Sequence, residues 1–317
     1  MTFQIELEAP DISAYAKGNT DIPYVTTFDS GVPGPHVMVN AVTHGNELCG
    51  AITLDHLFRH DLRPVRGKLT FGFANVDAFL RFNPSRPTAS RYVDEDFNRL
   101  WSPDVLDGPR HSAELTRARI YRPFIDTVDF LLDLHSMQQP SPPLMLAGPL
   151  EKGMQLAAGV GVPTHVVADS GHAAGRRLRD YGDFSDPASP RSALLVECGQ
   201  HWEAASAVVS LETTLRFLRY LDVIDPQFAA DHGTSVAPPS QEFIEVTEAV
   251  TAKSNEFRFV RPYMGAEVIP EAGSVIAHDG ETAIRTPYDQ CVLIMPSLRL
   301  FPGQTAVRLG RFVTAPN

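Results

Sequence analysis

The strongest constraint on this fold is the recurrence of short apolar runs that alternate with stretches of helical spacing. Residues 37–42 (VMVNAV), 130–134 (FLLDL) and 192–196 (SALLV) are such runs. Strands apolar on both faces are buried on both faces, the habit of parallel sheets covered by helices. Helical patterns occupy residues 47–58, 112–127 and 203–221, and in the last Val208, Leu211, Leu215, Leu218 and Leu221 trace one face. Further strands are expected at 67–75, 144–146 and 164–168, with a weak helix at 152–158. This alternation predicts an α/β fold, a mostly parallel or mixed sheet flanked by helices.

The character changes at residues 229–240 (AADHGTSVAPPS), a small, polar, Pro-containing stretch that reads as a linker. Short strand patterns follow at 243–250, 257–260, 274–277, 291–295 and 305–313. The expected organisation is therefore an α/β catalytic domain over residues 1–232 and a smaller β-rich domain over 233–317. A chain of 317 residues is long enough for both. Its net charge of −11 argues against a nucleic-acid partner, which needs a basic surface. The start, rich in Glu and without a basic, apolar leader, does not resemble a secretory signal, and no apolar run would span a bilayer. Cys49, Cys198 and Cys291 are too scattered for a disulfide framework, so a cytoplasmic location with no membrane partner is expected. The sequence is compatible with a homo-oligomer.

Chemistry gathers where strands end. His44 and Glu47, in HGNE, follow the first run, where three-residue spacing on a first helical turn would put both on one side. His135, in DLHS, follows the second. Two histidines and one glutamate make the set that leaves a catalytic zinc one open position, and open α/β sheets bind ligands at this edge. Glu197, in LLVECGQH, ends the third run, where an unpaired carboxylate would be costly unless it ligates, transfers protons or meets an Arg. Residues 91–101 (RYVDEDFNRLW) add Arg91, Asn98 and Arg99, donors suited to a carboxylate or an oxyanion.

HGNE, RYVDEDFNR, DLHS and VECG, in that order, resemble the succinylglutamate desuccinylase/aspartoacylase family over residues about 18–202. The resemblance implies a zinc carboxypeptidase-like fold with an added β-rich carboxy-terminal domain. It also implies one zinc held by His44, Glu47 and His135, with Glu197 as general base. Arg91 would polarise the scissile carbonyl, and Asn98 and Arg99 would bind the carboxylate side of a small substrate. Ser136 stands where aspartoacylases proper have Asn, and no carboxy-terminal tyrosine can be matched, so acyl group and amine stay open.

The leading expectation is a zinc-dependent amidohydrolase that deacylates small carboxylated N-acyl amino acids or related compounds. Alternatives are a zinc carboxypeptidase acting on peptide ends and a non-catalytic metabolite-binding protein. A general base argues against mere binding. Arg179 and Arg191 are rival candidates for a further substrate-binding arginine, and His201 for the cleft rim. His56, His60, His111, His165, His172 and His278 lack a partnered ligand pattern, and surface or packing roles are expected for them.

Overall fold

The computed structural model describes residues 4–171, 174–234, 237, 239–298 and 300–316. His172 and residues 235, 236 and 238 of the expected linker lie outside them. The chain first forms β1 (Val25–Asp29), β2 (His36–Ala41), α1 (Leu48–Arg59), β3 (Lys68–Phe73), α2 (Val76–Phe79), α3 (Pro103–Leu106) and α4 (Ala113–Ile125). Next come β4 (Phe130–Met137), β5 (Leu144–Leu146), α5 (Glu151–Val160), β6 (His165–Ala168), β7 (Ser192–Gln200), α6 (Ala204–Tyr220) and α7 (Pro226–His232). Among the described residues the remaining elements are strands: β8 (Glu242–Thr251), β9 (Phe257–Phe259), β10 (Glu267–Ile269), β11 (Val275–Asp279), β12 (Thr282–Arg285), β13 (Cys291–Ile294) and β14 (Thr305–Val313).

Eleven of these strands make one mixed sheet, ordered β1-β3-β2-β4-β7-β5-β6-β8-β14-β13-β10, and β12-β11-β9 make a small antiparallel one. Its parallel heart is β3, β2, β4 and β7. Strand β6 pairs parallel with β8, so four strands from beyond residue 240 continue the central sheet. None of the described helices is long and apolar enough to cross a membrane.

Period-two alternation assigns the faces. Val37, Val39, Leu132, Leu134, Leu194 and Val196 pack with Leu54, Leu57, Leu156, Leu215 and Phe217, under α1, α5 and α6. Met38, Leu131 and Ala193 pack with Leu115, Ala118, Tyr121 and Ile125 of α4 on the opposite face. By the same alternation Asp133, His135 and Glu197 point to the α4 face. His135 and Glu197 are direct register partners, so both side chains leave the sheet side by side.

Three expectations are corrected in detail. The expected apolar stripe of α6 holds at Leu215 and Leu218, which are buried, and at Leu211 and Leu221, which pack partly buried against the core. It fails at Val208, which is 54% exposed while Ser206, Ser210, Thr213 and Thr214 are buried. Small hydroxyl residues let α6 approach α1 closely, and Thr53 Oγ1 donates to Ser210 Oγ at 2.7 Å. The linker stretch begins as helix, since α7 runs to His232, capped by Asp225, whose side chain accepts from Gln227 N. Strands β4 and β7 extend beyond the apolar runs, so His135 and Glu197 lie within strands rather than just after them.

Candidate active site

Strand β2 delivers its chain to the site through a strained bend. Val42 has φ of 55°, a left-handed conformation unusual for a β-branched residue, which costs on the order of 1–3 kcal/mol. Gly45 then passes so close to another segment that a Cβ would lie 2.3 Å from the Ala78 carbonyl carbon and 2.5 Å from Ser90 O. His44 thus sits in a turn before α1, and Glu47 occupies the helix N-cap position, so they do not share a helical turn as the spacing suggested. The turn achieves the same convergence, with Glu47 N–H donating to His44 O at 3.2 Å.

The three side chains meet, and all are buried. His44 Nδ1 lies 2.7 Å from Glu47 Oε1, and His135 Nδ1 lies 2.9 Å from Glu47 Oε2. The outer nitrogens each face a carboxylate: His44 Nε2 is 2.9 Å from Asp96 Oδ1, and His135 Nε2 is 2.8 Å from Asp133 Oδ2. At His135 the carboxylate favours a proton on Nε2 and leaves the Nδ1 lone pair facing inward, which suits metal ligation, while His44 Nε2 also has the Arg91 Nη2 donor at 2.9 Å. Asp133 is itself fixed by Asn40 Nδ2 and Thr43 Oγ1, donating at 2.7 and 2.9 Å. Burial alone would raise the pKa of Glu47, but His44 and His135 hold it well below the usual carboxylate range. Burial alone would lower that of His135, but Asp133 and Glu47 carry it well above the usual imidazole range. The carboxylates that draw a proton to His135 would also draw a dication, and the donor set could hold a metal ion.

Around this group lies a cavity of about 220 Å³. Glu197 enters it with Oε2 buried and without a hydrogen-bond partner. Burial, above all, pushes its carboxyl up to about 8, a trend that His135 and Arg91 oppose and Glu47 reinforces. A carboxyl so placed can take and release a proton near neutral pH. His201, also buried, lies with Nδ1 2.8 Å from Ser136 Oγ, and burial drives its pKa down to about 3, so its ring stays neutral.

The segment bearing Arg91, Asn98 and Arg99 hangs from one buried carboxylate. Glu114, in the first turn of α4, accepts from the backbone N–H groups of Val93, Asp94 and Glu95 at 2.6, 3.1 and 3.2 Å. Arg91 Nη2 lies 3.1 Å from Asp96 Oδ2 and Nη1 3.7 Å from Glu47 Oε1, and the guanidinium borders the cavity. Asn98 spends its carbonyl oxygen on Leu178 N–H at 2.9 Å. Arg99 has no carboxylate ion pair among the described residues; Nη1 donates to Asn98 O at 2.7 Å. Burial lowers its pKa, and nearby Arg91, Arg177 and Arg308 lower it further against the pull of Asp96.

All seven residues singled out in the sequence, His44, Glu47, Arg91, Asn98, Arg99, His135 and Glu197, border this one cavity, as does His201. Neither rival arginine does. Arg179 is buried against Asp180, Ala147 O and Ala193 O, and Arg191 bonds Asp126 O on the other side of the fold. The additional arginines are Arg177, held bidentately by Asp169, and Arg308 on β14. Arg177 had no strand or turn signal to single it out, and Arg308 reaches the site only because β14 joins the sheet. The same holds for the wall formed by Gly265, Met295, Pro296 and Thr305.

Residues 33–221 match the family model for the succinylglutamate desuccinylase/aspartoacylase catalytic domain. A protein of Parasynechococcus marenigrum (strain WH8102) named probable aspartoacylase is 38% identical over 85 residues, 26% of this chain and 26% of that relative's length. The succinylglutamate desuccinylase structure from Vibrio cholerae superposes with a TM-score of 0.66 at 18% identity, covering 92% of this chain and 86% of that one. A product-bound ectoine utilization protein from Ruegeria pomeroyi gives 0.61 at 15% identity, covering 97% and 92%. These structural likenesses are likenesses of fold.

Proposed function

Because the chain belongs to the succinylglutamate desuccinylase/aspartoacylase family, we propose that it is a zinc-dependent amidohydrolase releasing the acyl group from a small, carboxylated N-acyl amino acid or related compound. The observation that carries the reading is a buried His₂Glu group with a partnerless carboxylate oxygen beside it in one cavity. His44, Glu47 and His135 would hold the zinc, whose Lewis acidity makes water a nucleophile near pH 7. Glu197 takes the proton from the attacking water and returns it to the leaving amine, so it is base and then acid. Arg91 borders the same cavity and offers a planar pair of donors to the oxygen on which charge develops. Losing one such donor costs ~10²–10³ in rate.

Arg99 and the amide nitrogen of Asn98 are the groups offered to a substrate carboxylate, since Arg99 is the cavity arginine without a carboxylate of its own. In this reading residues 1–232 carry the chemistry and residues 233–317 supply a wall that limits substrate length. A cavity of about 220 Å³ suits a small acid better than a peptide end, which disfavours the carboxypeptidase alternative. The test is release of free amine from a panel of N-acyl amino acids and of peptides, with wild type and His135→Ala. Hydrolysis of the former alone, abolished in the variant together with one bound zinc, supports the proposal. Turnover by His135→Ala that lacks this zinc, or cleavage of peptides in preference, refutes it.

A further inference from the structure

Helix α1 carries Glu47 at its first end and, roughly 13–20 Å further along, a pair of histidines near its last turn. His56 and His60 are four residues apart, the spacing that places two side chains on one helix face. The end of α7 brings His232 against them. The ring centroids are 4.3 Å apart for His56 and His60, 5.1 Å for His56 and His232, and 4.5 Å for His60 and His232. One nitrogen from each ring lies within 4.8 Å of the others.

We propose that His56, His60 and His232 form a second metal site, distinct from the catalytic group, for a divalent ion of the imidazole-preferring kind such as zinc. Nitrogens bound to one tetrahedral zinc at about 2.0–2.1 Å lie about 3.3 Å from each other. His56 Nε2 and His232 Nδ1 are 3.1 Å apart, so two ligands stand almost at coordination spacing. Small rotamer adjustments of the exposed His60 would bring in the third. Among the described residues no fourth ligating side chain joins them, so the open position faces solvent.

Two further features favour a cation over mere packing. The carboxyl-terminal ends of α1 and α7 converge here, and helix C-termini favour positive charge. Packing alone would be served by apolar rings, and Phe228, stacked 4.3 Å from His232, shows that the adjacent position takes one. Burial first, and then its two histidine neighbours, lower the pKa of His56, although Asp55 opposes them. Neutral rings are the form that binds a metal. Because α1 and α7 are separated in sequence by most of the α/β layer, an ion here would pin the last helix before the β-rich segment to the helix that begins at the catalytic group. His56 and His60, expected to be bland in the sequence, lacked a visible third partner because His232 comes from a distant segment.

The test is zinc stoichiometry after equilibration of the whole protein with a modest excess of zinc chloride, in wild type, His60→Gln, His232→Gln, Glu47→Gln and the Glu47→Gln/His60→Gln double variant. The expected result is two zinc ions per chain in wild type and one in each histidine variant, both of which keep wild-type turnover. Glu47→Gln should retain one ion that the double variant loses, whatever the substrate proves to be. That arm separates failure of this site from failure of the catalytic assignment. At a hundredfold excess over its Kd, the second ion should raise the wild-type Tm by roughly 4 °C, and His60→Gln should not show the rise. Uptake of one ion only by wild type, or two by both histidine variants, overturns the proposal.

Discussion

Asp133→Asn tests how the site selects its ligand atoms. Asp133 is fully buried, and its Oδ1 accepts from Asn40 Nδ2 and Thr43 Oγ1, while Oδ2 faces His135 Nε2 at 2.8 Å. An asparagine of the same shape has one oxygen for these two duties. If that oxygen keeps Asn40 and Thr43, its NH₂ faces Nε2, which must then accept, and the ring proton moves to Nδ1. That nitrogen is the one aimed at Glu47, 2.9 Å from Oε2, and protonated it cannot ligate. If the amide is reversed, the NH₂ meets the Asn40 donor instead, and a buried donor–donor contact results. Changes to such outer partners typically weaken metal binding 10–100-fold, or about 1.4–2.7 kcal/mol. Zinc Kd measured by competition with a chromophoric chelator should rise by that factor, with Tm showing that the fold persists. A variant whose affinity stays within about threefold of wild type would refute the tautomer argument.

Other predictions concern neighbouring groups. Glu197→Gln should keep fold and zinc while kcat falls about 10²–10⁴-fold, and a loss below tenfold would remove Glu197 as the proton carrier. Wild type should turn over the free acid of its substrate far better than the primary amide, and Arg99→Ala should erase most of that difference; equal wild-type rates on both would take Arg99 out of substrate recognition. Glu114→Ala, which strands three backbone N–H groups, should cost about 2–4 kcal/mol in denaturant unfolding, and unchanged stability would show that the Arg91–Arg99 segment does not depend on it.

The parallel heart of the fold was legible because VMVNAV, FLLDL and SALLV are apolar on both faces apart from Asn40, Asp133 and Ser192. Strands β1, β10 and β12 escaped notice, being short or half-exposed and lacking that signal. The ligand set was legible because His44, Glu47 and His135 lie close to strand ends, a position with chemical meaning in such sheets. Their carboxylate partners were not, since nothing in DLHS says that Asp133 turns to the same face until the strand is seen to continue through His135. Arg308 and His232 were invisible for a related reason: each acquires its role from a contact between segments far apart in the chain. Val208 misled because helical periodicity records apolar spacing but not the close approach that small residues allow.

The central claim is that His44, Glu47 and His135 hold a zinc on which amide hydrolysis depends. The most direct measurement strips wild type with a chelator, restores zinc stepwise, and follows amine release from the best N-acyl amino acid of the panel. The account predicts no turnover in the stripped protein and full recovery with the first tightly held equivalent. Undiminished turnover in the stripped protein, or no response to restored zinc by a folded enzyme, would contradict it.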